Sequence, residues 1–420
     1  MLTSSSVDIY SWGIMNTPSI PDPIERDCVI AGGGPAGMVL GYLLARAGLR
    51  VTVLEKHADF FRDFRGDTVH PSTVTLLGEL GLRERFLELP LTRLPAMDVV
   101  INDRRMSLVD FRTLPAPDNF LVMAPQWDFL NFLTREAAAF PNFELRMLTS
   151  ATDLIIEQNE VKGLRAIGQE GKLEIRATLT VAADGRDGTL RDAAGLVPVE
   201  SGVPVDVLWF SLPKPPVTPR ATLGYLSQRG MVLTIDRGDH YQAGMVIAKG
   251  GLAELRTEGL ADLRARIAGA APFLEPVVDT LADWDQIKLL SVQLNRLPRW
   301  YAPGFIAIGD AAHAMSPLFG VGVNYAIQDA VALSNALVAD LRNGTAPVAA
   351  LAAVQDRREE PVKKMQRLQR GGHRAIARLA TGSKPVPSAL VGILRLLSPI
   401  LRRVTARFIG VGFLPEHVQD

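Results

Sequence analysis

The sequence predicts an α/β fold: a parallel sheet flanked by helices, an antiparallel sheet inserted into it, and a helical segment after it. Three observations carry this. A strand, a glycine-rich turn, a helix, a second strand and a terminal acid follow one another between Asp27 and Glu55. Two later apolar runs end in Asp184-Gly185 and Gly309-Asp310. Between those runs the apolar period shortens, and short alternating segments are separated by turn residues.

Composition narrows the classes before any motif does. The chain has 420 residues, of which 47% are hydrophobic and 21% charged, a length suited to roughly two or three domains. Forty-five basic residues balance 45 acidic ones, which removes any general electrostatic reason to bind nucleic acid. The single cysteine, Cys28, excludes a disulfide framework and a dithiol site. The six histidines show no HExxH-like spacing, so no metal site is expected. No run of about 18 uncharged apolar residues occurs, so no transmembrane span is expected. Residues 1–26, with Ser4, Ser5, Ser6, Pro18, Pro21 and Pro23, read as a flexible leader lacking the basic and apolar regions of a signal peptide. Met15 is an alternative start, and a cytoplasmic protein is expected.

The first segment is the most informative. Cys28-Val29-Ile30-Ala31 is the short apolar run that a strand buried on both faces needs. Gly32-Gly33-Gly34-Pro35-Ala36-Gly37 follows at once, and Leu40, Leu43, Leu44 and Ala47 recur at helical spacing up to Gly48. Leu49–Leu54 reads as a second strand ending at Glu55. Gly32 permits a tight turn, Gly34 lets a pyrophosphate reach the backbone, and Gly37 lets helix and strand pack closely, with Ala36 in the same turn. The phosphates then meet the N–H groups and dipole of the helix N-terminus. Glu55, with Lys56 beside it, is placed to accept hydrogen bonds from an adenosine ribose. The pattern specifies a Rossmann-like dinucleotide site and does not distinguish FAD from NAD.

Val181-Ala182-Ala183 runs into Asp184-Gly185, followed by Arg186 and Arg191. Phe305–Ile308 runs into Gly309-Asp310, and a helix is expected from around Val323, since Ala326, Ile327, Ala330, Leu333 and Leu337 fall at helical spacing. Ligands of open α/β sheets bind beyond the carboxyl ends of the strands, so Glu55, Asp184 and Asp310 are expected to converge on one extended cofactor.

In this order, the Gly32–Gly37 turn, Asp184-Gly185 and Gly309-Asp310 resemble the three motifs of the class A flavoprotein monooxygenases. That group of aromatic hydroxylases is typified by para-hydroxybenzoate hydroxylase, and the resemblance runs from about Asp27 to Leu341. It implies FAD as the tightly held cofactor and NAD(P)H and O2 as co-substrates, with oxygen transferred through a flavin C4a-hydroperoxide. It further implies that Glu55 meets the adenosine ribose, Arg65 in Phe64-Arg65-Gly66-Asp67 the phosphates, and Asp310 the ribityl chain. Asp184-Gly185 is associated with both FAD and nicotinamide, and Gln126 and Gly309 join the cofactor set. Gly320, Val321, Gly322, Val323 and Asn324 would bring backbone N–H groups to the N1 edge of the flavin, where the reduced ring carries negative charge. Pro317, Phe319 and Gly320 would form the catalytic turn facing substrate, while His313 is read as a structural neighbour of the acid. Two departures stand out. Gly188 occupies a position where the family usually has serine, and Phe319-Gly320 replaces a common Gly-Gly.

Between the second and third motifs, Val205–Leu212, Thr222–Leu226, Met231–Ile235 and Tyr241–Ile247 read as short antiparallel strands, with Met97–Leu108 adding to them. Trp209, Tyr225, Tyr241 and Gln242 are the candidates to line a substrate pocket there, which favours a fairly hydrophobic aromatic substrate. The expected division is a cofactor domain of 27–92, 120–200 and 286–345, a substrate-binding β domain of 93–119 and 201–285, and a C-terminal helical region of 346–420. In the tail, Pro399 suggests two short helices, and Arg395, Arg402, Arg403 and Arg407 among leucines suggest a packing or homodimer contact or a peripheral membrane contact. The same scaffold also suits Baeyer–Villiger or epoxidation chemistry, or a reductase or dehydrogenase that inserts no oxygen. A flavin-binding sensor without turnover is the non-enzymatic alternative.

Overall fold

The computed structural model describes residues 23–61, 68–101, 104–219, 224–380 and 388–419. Its first sheet grows from the apolar runs. Ile24–Ala31 lies between Val51–Leu54 and Gly171–Ala182, parallel to both, with Cys28 opposite Val51 and Leu179. Phe143–Arg146 extends one side and Phe305–Ala307 the other, again in parallel. Tyr301–Ala302 closes the latter edge antiparallel. Cys28, Val29, Val51, Leu179, Val181 and Phe305 are all fully buried, as expected of a parallel sheet covered on both faces. The helices Pro35–Arg46 and Gly322–Arg342 pack on each other and on this sheet. A hairpin of Ser150–Glu157 and Glu160–Gly168 is built on the earlier part of the 171–182 strand.

The first strand begins at Ile24, paired with Ile175, so Ile24, Glu25 and Arg26 belong to the sheet and not to a leader ending at 26. Long-range pairing with the 171–182 strand, which local composition does not reveal, extends the strand past the apolar run. The remainder of the leader, 1–22, lies outside the described residues.

The second sheet runs in the order Lys288–Leu290, Val205–Pro213, His240–Ala248, Gly230–Asp236, Gly224–Ser227, Ala96–Ile101, Arg104–Asp110. Its neighbours are antiparallel except for Gly224–Ser227 against Ala96–Ile101. Lys288–Leu290 falls in the range given above to the cofactor domain, yet it pairs with Val205–Pro213. A three-residue edge strand has too little pattern to declare its sheet. The period of two divides the side chains cleanly. Leu208, Phe210, Leu212, Tyr225 and Tyr241 enter a core beneath the helices Leu252–Glu258 and Leu260–Ala270. Val205, Val207, Trp209, Met231 and Leu233 point the other way, where the helix Val348–Ala380 crosses.

A single helix, Ser388–Ala406, continues through Pro399, where two short helices were expected. Proline removes one backbone hydrogen bond and bends a helix, which the exposed position of Pro399 tolerates. The chain then makes a π turn, Arg407–Val411, and returns to the helices that carry Glu79 and Arg358. There His417 meets Glu79 at 2.5 Å and the Glu416 carboxylate reaches Arg358 at 3.2 Å. Among the described residues no helix is long and apolar enough to cross a membrane, and no group of three His, Cys, Asp or Glu side chains is arranged to hold a metal.

Candidate cofactor and substrate site

The glycine turn sits at the carboxyl end of the first strand, and its glycines answer to different constraints. Gly32 has a φ of +109°, and a Cβ there would lie 2.2 Å from the Ala183 carbonyl oxygen. A Cβ on Gly37 would lie 2.0 Å from the Gly32 oxygen. Both positions therefore need glycine for the fold itself. Gly34 is different: its φ of −72° and ψ of −178° suit any residue, and nothing lies within 4 Å of a Cβ there. It is the N-cap of the 35–46 helix, has no capping side-chain hydrogen bond, and precedes a first turn without an acid. An uncapped N-terminus behind an open glycine attracts an anion.

Glu55 lies beneath this turn. The Gly33 N–H donates to its Oε2 at 3.2 Å and the His57 N–H to its Oε1 at 3.0 Å. Lys56 beside it is exposed. Gln126 opens the Gln126–Ala137 helix, which packs against the 35–46 helix, and is half-buried. Arg65 lies outside the described residues.

Asp184 lies beside the glycine turn, with its backbone N 2.8 Å from where a Gly32 Cβ would be. The Leu190 N–H donates to its Oδ2 at 3.3 Å, while Oδ1 is buried with no hydrogen-bond partner among the described residues. Burial pushes its carboxyl pKa up, against the pull of neighbouring N–H groups. A Cβ on Gly188 would lie 2.1 Å from Oδ1. The carboxylate thus fills the space that a serine at 188 would need, and it turns into its own loop. Arg186 is the member of this loop that reaches Asp310, with Nη2 to Oδ2 at 3.0 Å. In the sequence, Arg186 is marked only by its place after the Asp-Gly pair. Gly185 and Gly309 have φ values of +84° and +59°, and the Gly309 N–H donates to Asp329 at 3.0 Å.

Asp329 belongs to a buried network that sequence reasoning missed. His313 Nε2 lies 2.5 Å from Asp329 Oδ2, and Arg358 donates to Oδ1 at 3.1 Å. Arg358 also donates to the Leu414 carbonyl at 3.0 Å and to Gln328 at 3.1 Å. Burial pushes the Asp329 carboxyl up, but His313 and Arg358 outweigh it and hold the pKa below the usual carboxylate value. His313 is engaged here and against the Trp300 ring, at 4.9 Å between centroids. These contacts hold it beside the acid motif.

The 317–322 turn lies directly before the 322–342 helix. Phe319 and Gly320 hold φ values of +73° and +65°, two consecutive left-handed residues. The Gly320 carbonyl accepts from Thr68 Oγ1 at 3.0 Å and faces His70 Nε2 at 2.9 Å. The other ring nitrogen faces the Ile409 carbonyl at 2.7 Å. A neutral ring has one N–H, so two carbonyls favour its protonation, yet burial dominates and lowers the His70 pKa to about 4. Val321 is fully buried, Gly322 and Val323 open the helix, and Asn324 accepts a hydrogen bond from Thr73. The 348–380 helix holds the turn from behind. Gln369 donates to the Ser316 and Leu318 carbonyls at 3.0 and 2.9 Å, and His373 pairs with Ser316 Oγ.

Phe319 also joins an apolar cluster with Met97, Val109, Met123, Ile235 and Phe408. Its ring meets that of Phe408 edge-on at 5.9 Å. This cluster brings the turn to the face of the second sheet that carries Trp209. The four pocket candidates consequently do not share one wall. Trp209 and Gln242 lie on the turn-facing side, where Gln242 accepts from Arg237 at 3.0 Å. Tyr225 and Tyr241 pack on Phe273 at 4.9 and 5.7 Å on the opposite side. A strand sends successive residues to opposite faces, so aromatic identity alone could not sort them.

These residues fit a bound FAD: an open anion site at a helix N-terminus, an acid at the end of the next strand, and a second acid, Asp310, at the end of the 305–307 strand. Comparison with known proteins agrees. Residues 25–369 match the FAD binding domain family. The chain is 31% identical over 389 residues to 6-methylpretetramide 4-monooxygenase of Streptomyces rimosus, covering 91% of this chain and 93% of that protein. It is 26% identical over 377 residues to protoasukamycin 4-monooxygenase of Streptomyces nodosus subsp. asukaensis, covering 84% and 89%. Among solved structures it resembles the anhydrotetracycline hydroxylase OxyS of Streptomyces rimosus, with a TM-score of 0.73, 25% identity and coverage of 92% of this chain and 76% of that one. A match over most of the chain, together with a full-length relative at this identity, settles membership: the chain belongs to the FAD-binding family of flavoprotein monooxygenases.

Proposed function

We propose that this protein hydroxylates a hydrophobic, polycyclic aromatic compound, using NAD(P)H as reductant and O2 as oxidant. FAD, when bound, supplies the redox chemistry that splits O2 between the product hydroxyl and water. The residues hold, orient and exclude water. Gly34, Ala36 and Gly37 meet the pyrophosphate at the helix N-terminus, Glu55 the adenosine ribose, and Asp310 the ribityl hydroxyls with Arg186 beside it. The N–H groups of 321–324 stabilise negative charge on the flavin edge. Pro317, Phe319 and Gly320 form the wall between cofactor and substrate, and Trp209, Gln242 and Ile235 face it from the second sheet. Lys56, Gln126, Asp184, Gly185 and Gly309 support this set.

The observation that carries the reading is the apolar cluster that Phe319 of the turn shares with Met97, Val109 and Ile235 of the second sheet. It supports a flat, uncharged aromatic substrate pressed against the flavin side of the turn. Relatives whose names specify polycyclic substrates, 6-methylpretetramide and anhydrotetracycline, support the same choice. The test is a visible spectrum under argon with NADH or NADPH, followed by air. Bleaching accelerated by a polycyclic phenol, with hydroxylated product after air, is the expected result. Bleaching and reoxidation with a reduced or otherwise unoxygenated product would establish a reductase instead. Turnover confined to small, charged hydroxybenzoates would overturn the substrate class.

A further inference from the structure

Among the described residues, the helix Ser388–Ala406 has one side that nothing covers. Ile393, Leu396, Leu397, Ile400 and Val404 are 54, 80, 43, 65 and 54% exposed, and at helical spacing they form a single stripe. Thr405, whose hydroxyl donates to the Leu108 carbonyl, and the buried Ala406 lie on the other side, where the helix packs against the strand Arg104–Asp110. Single exposed leucines are ordinary, but a contiguous stripe marks a contact surface.

Charge selects the occupant. From Ser388 to Pro415 the chain carries Arg395, Arg402, Arg403 and Arg407 and no aspartate or glutamate, although the whole chain has a formal net charge of zero. Arg395, Arg403 and Arg407 are exposed. A second copy docking through the same stripe would bring two sets of arginines together, with no acid in either segment to separate them. An anionic lipid surface satisfies both halves of the helix, because acyl chains receive the stripe and headgroups receive the guanidiniums. We propose that the 388–406 helix lies in the interface of an anionic bilayer and holds the enzyme on a membrane without spanning it. The segment runs on into the 407–411 turn, where Ile409 bonds His70 and Phe408 packs on Phe319. The bilayer-facing helix and the wall of the substrate site are therefore parts of one continuous stretch, suited to delivery of an apolar substrate from the lipid.

The test needs no turnover, so it stands apart from the assigned reaction. The full-length protein is sedimented with vesicles of phosphatidylcholine alone and with vesicles containing phosphatidylglycerol. Sedimentation is expected with the anionic vesicles and not with the neutral ones, and it should weaken at high salt. Leu396→Glu/Ile400→Glu and Arg395→Gln/Arg403→Gln should each reduce partitioning about tenfold or more, with the thermal unfolding transition unchanged. A protein left in the supernatant by both vesicle types overturns the proposal, as does equal, salt-insensitive binding to both. A dimer in light scattering that the double glutamate variant splits would assign the stripe to a second copy.

Discussion

Phe319 holds a φ of +73°, a conformation that costs a residue with a Cβ roughly 1–2 kcal/mol. The compensation visible around it is aromatic: the ring sits in an apolar cluster and meets Phe408 edge-on, a contact on the order of 1 kcal/mol. Phe319→Gly removes strain and contact together. Its unfolding free energy should fall by about 1–3 kcal/mol, because the ring's burial is lost and glycine loosens the unfolded chain while the strain is relieved, and product formed per NAD(P)H consumed should fall as well; unchanged coupling would show that the ring holds the fold and not the site wall. Gly34 offers the opposite separation. Because a Cβ there meets nothing, Gly34→Val should fold with the thermal stability of the flavin-free parent yet bind FAD about a hundredfold more weakly or worse. Full flavin occupancy in that variant, seen in its visible spectrum, would refute the phosphate turn. Asp310→Ala should likewise weaken FAD, by about tenfold or more, since it removes an acceptor and leaves Arg186 without its 3.0 Å partner. Equilibrium titration with FAD is the measurement, and unchanged affinity would remove Asp310 from the cofactor site.

The elements differ in how far the sequence alone could reveal them. The glycine turn and its flanking strands were legible because each constraint there is local: Gly32, Gly37 and the apolar run lie within a few residues of one another. The second sheet was legible as strands but not as faces, which is why Tyr225 and Tyr241 were grouped with Trp209. The 348–380 helix was legible only as a helix. Gln355, Arg358, Gln366, Gln369 and His373 recur on one side of it and are all buried, bonded to the Trp300 N–H, Asp329, the Asn295 and Ala314 carbonyls, and the 316–318 turn. Glutamines and arginines on a helix ordinarily mark a solvated face, so only the spacing hinted at this ladder. Gln369→Leu tests it. The change leaves the Ser316 and Leu318 carbonyls buried without that donor, at a cost of about 2–4 kcal/mol. If the turn walls off the substrate as proposed, the change should also let NAD(P)H oxidation outrun product formation, because the turn is no longer held. Unfolding in urea and the ratio of product to NAD(P)H consumed read the two effects. Unchanged coupling despite the lost stability would reduce the ladder to a scaffold.

At the scale of the molecule, buried histidines join the C-terminal return to the cofactor turn, and their protonation ties stability to pH. His70 bridges the Gly320 and Ile409 carbonyls, and His373 holds Ser316. Burial lowers both to about 4 from an ordinary value of 6.5. An unfolded chain therefore binds protons at these rings as pH falls through 6.5, while the folded chain does not until about 4. Stability is intact above 6.5 and declines between 6.5 and 4, by up to about 3 kcal/mol for each ring. Asp329, held below its ordinary value, adds a loss only at still lower pH, whereas Asp184, held above its own, recovers some stability as it protonates. The two carbonyls on His70 sharpen the test, since they would accept the second ring proton without moving; acid should therefore act through the unfolded chain before it deforms the turn. Urea midpoints at pH 7, 6 and 5 for the parent and His70→Gln decide this. The variant should begin less stable at pH 7, lose less on acidification, and approach the parent at pH 5. Parallel curves would mean that His70 titrates alike in both states and that the bridge between Ile409 and Gly320 does not keep its ring from solvent.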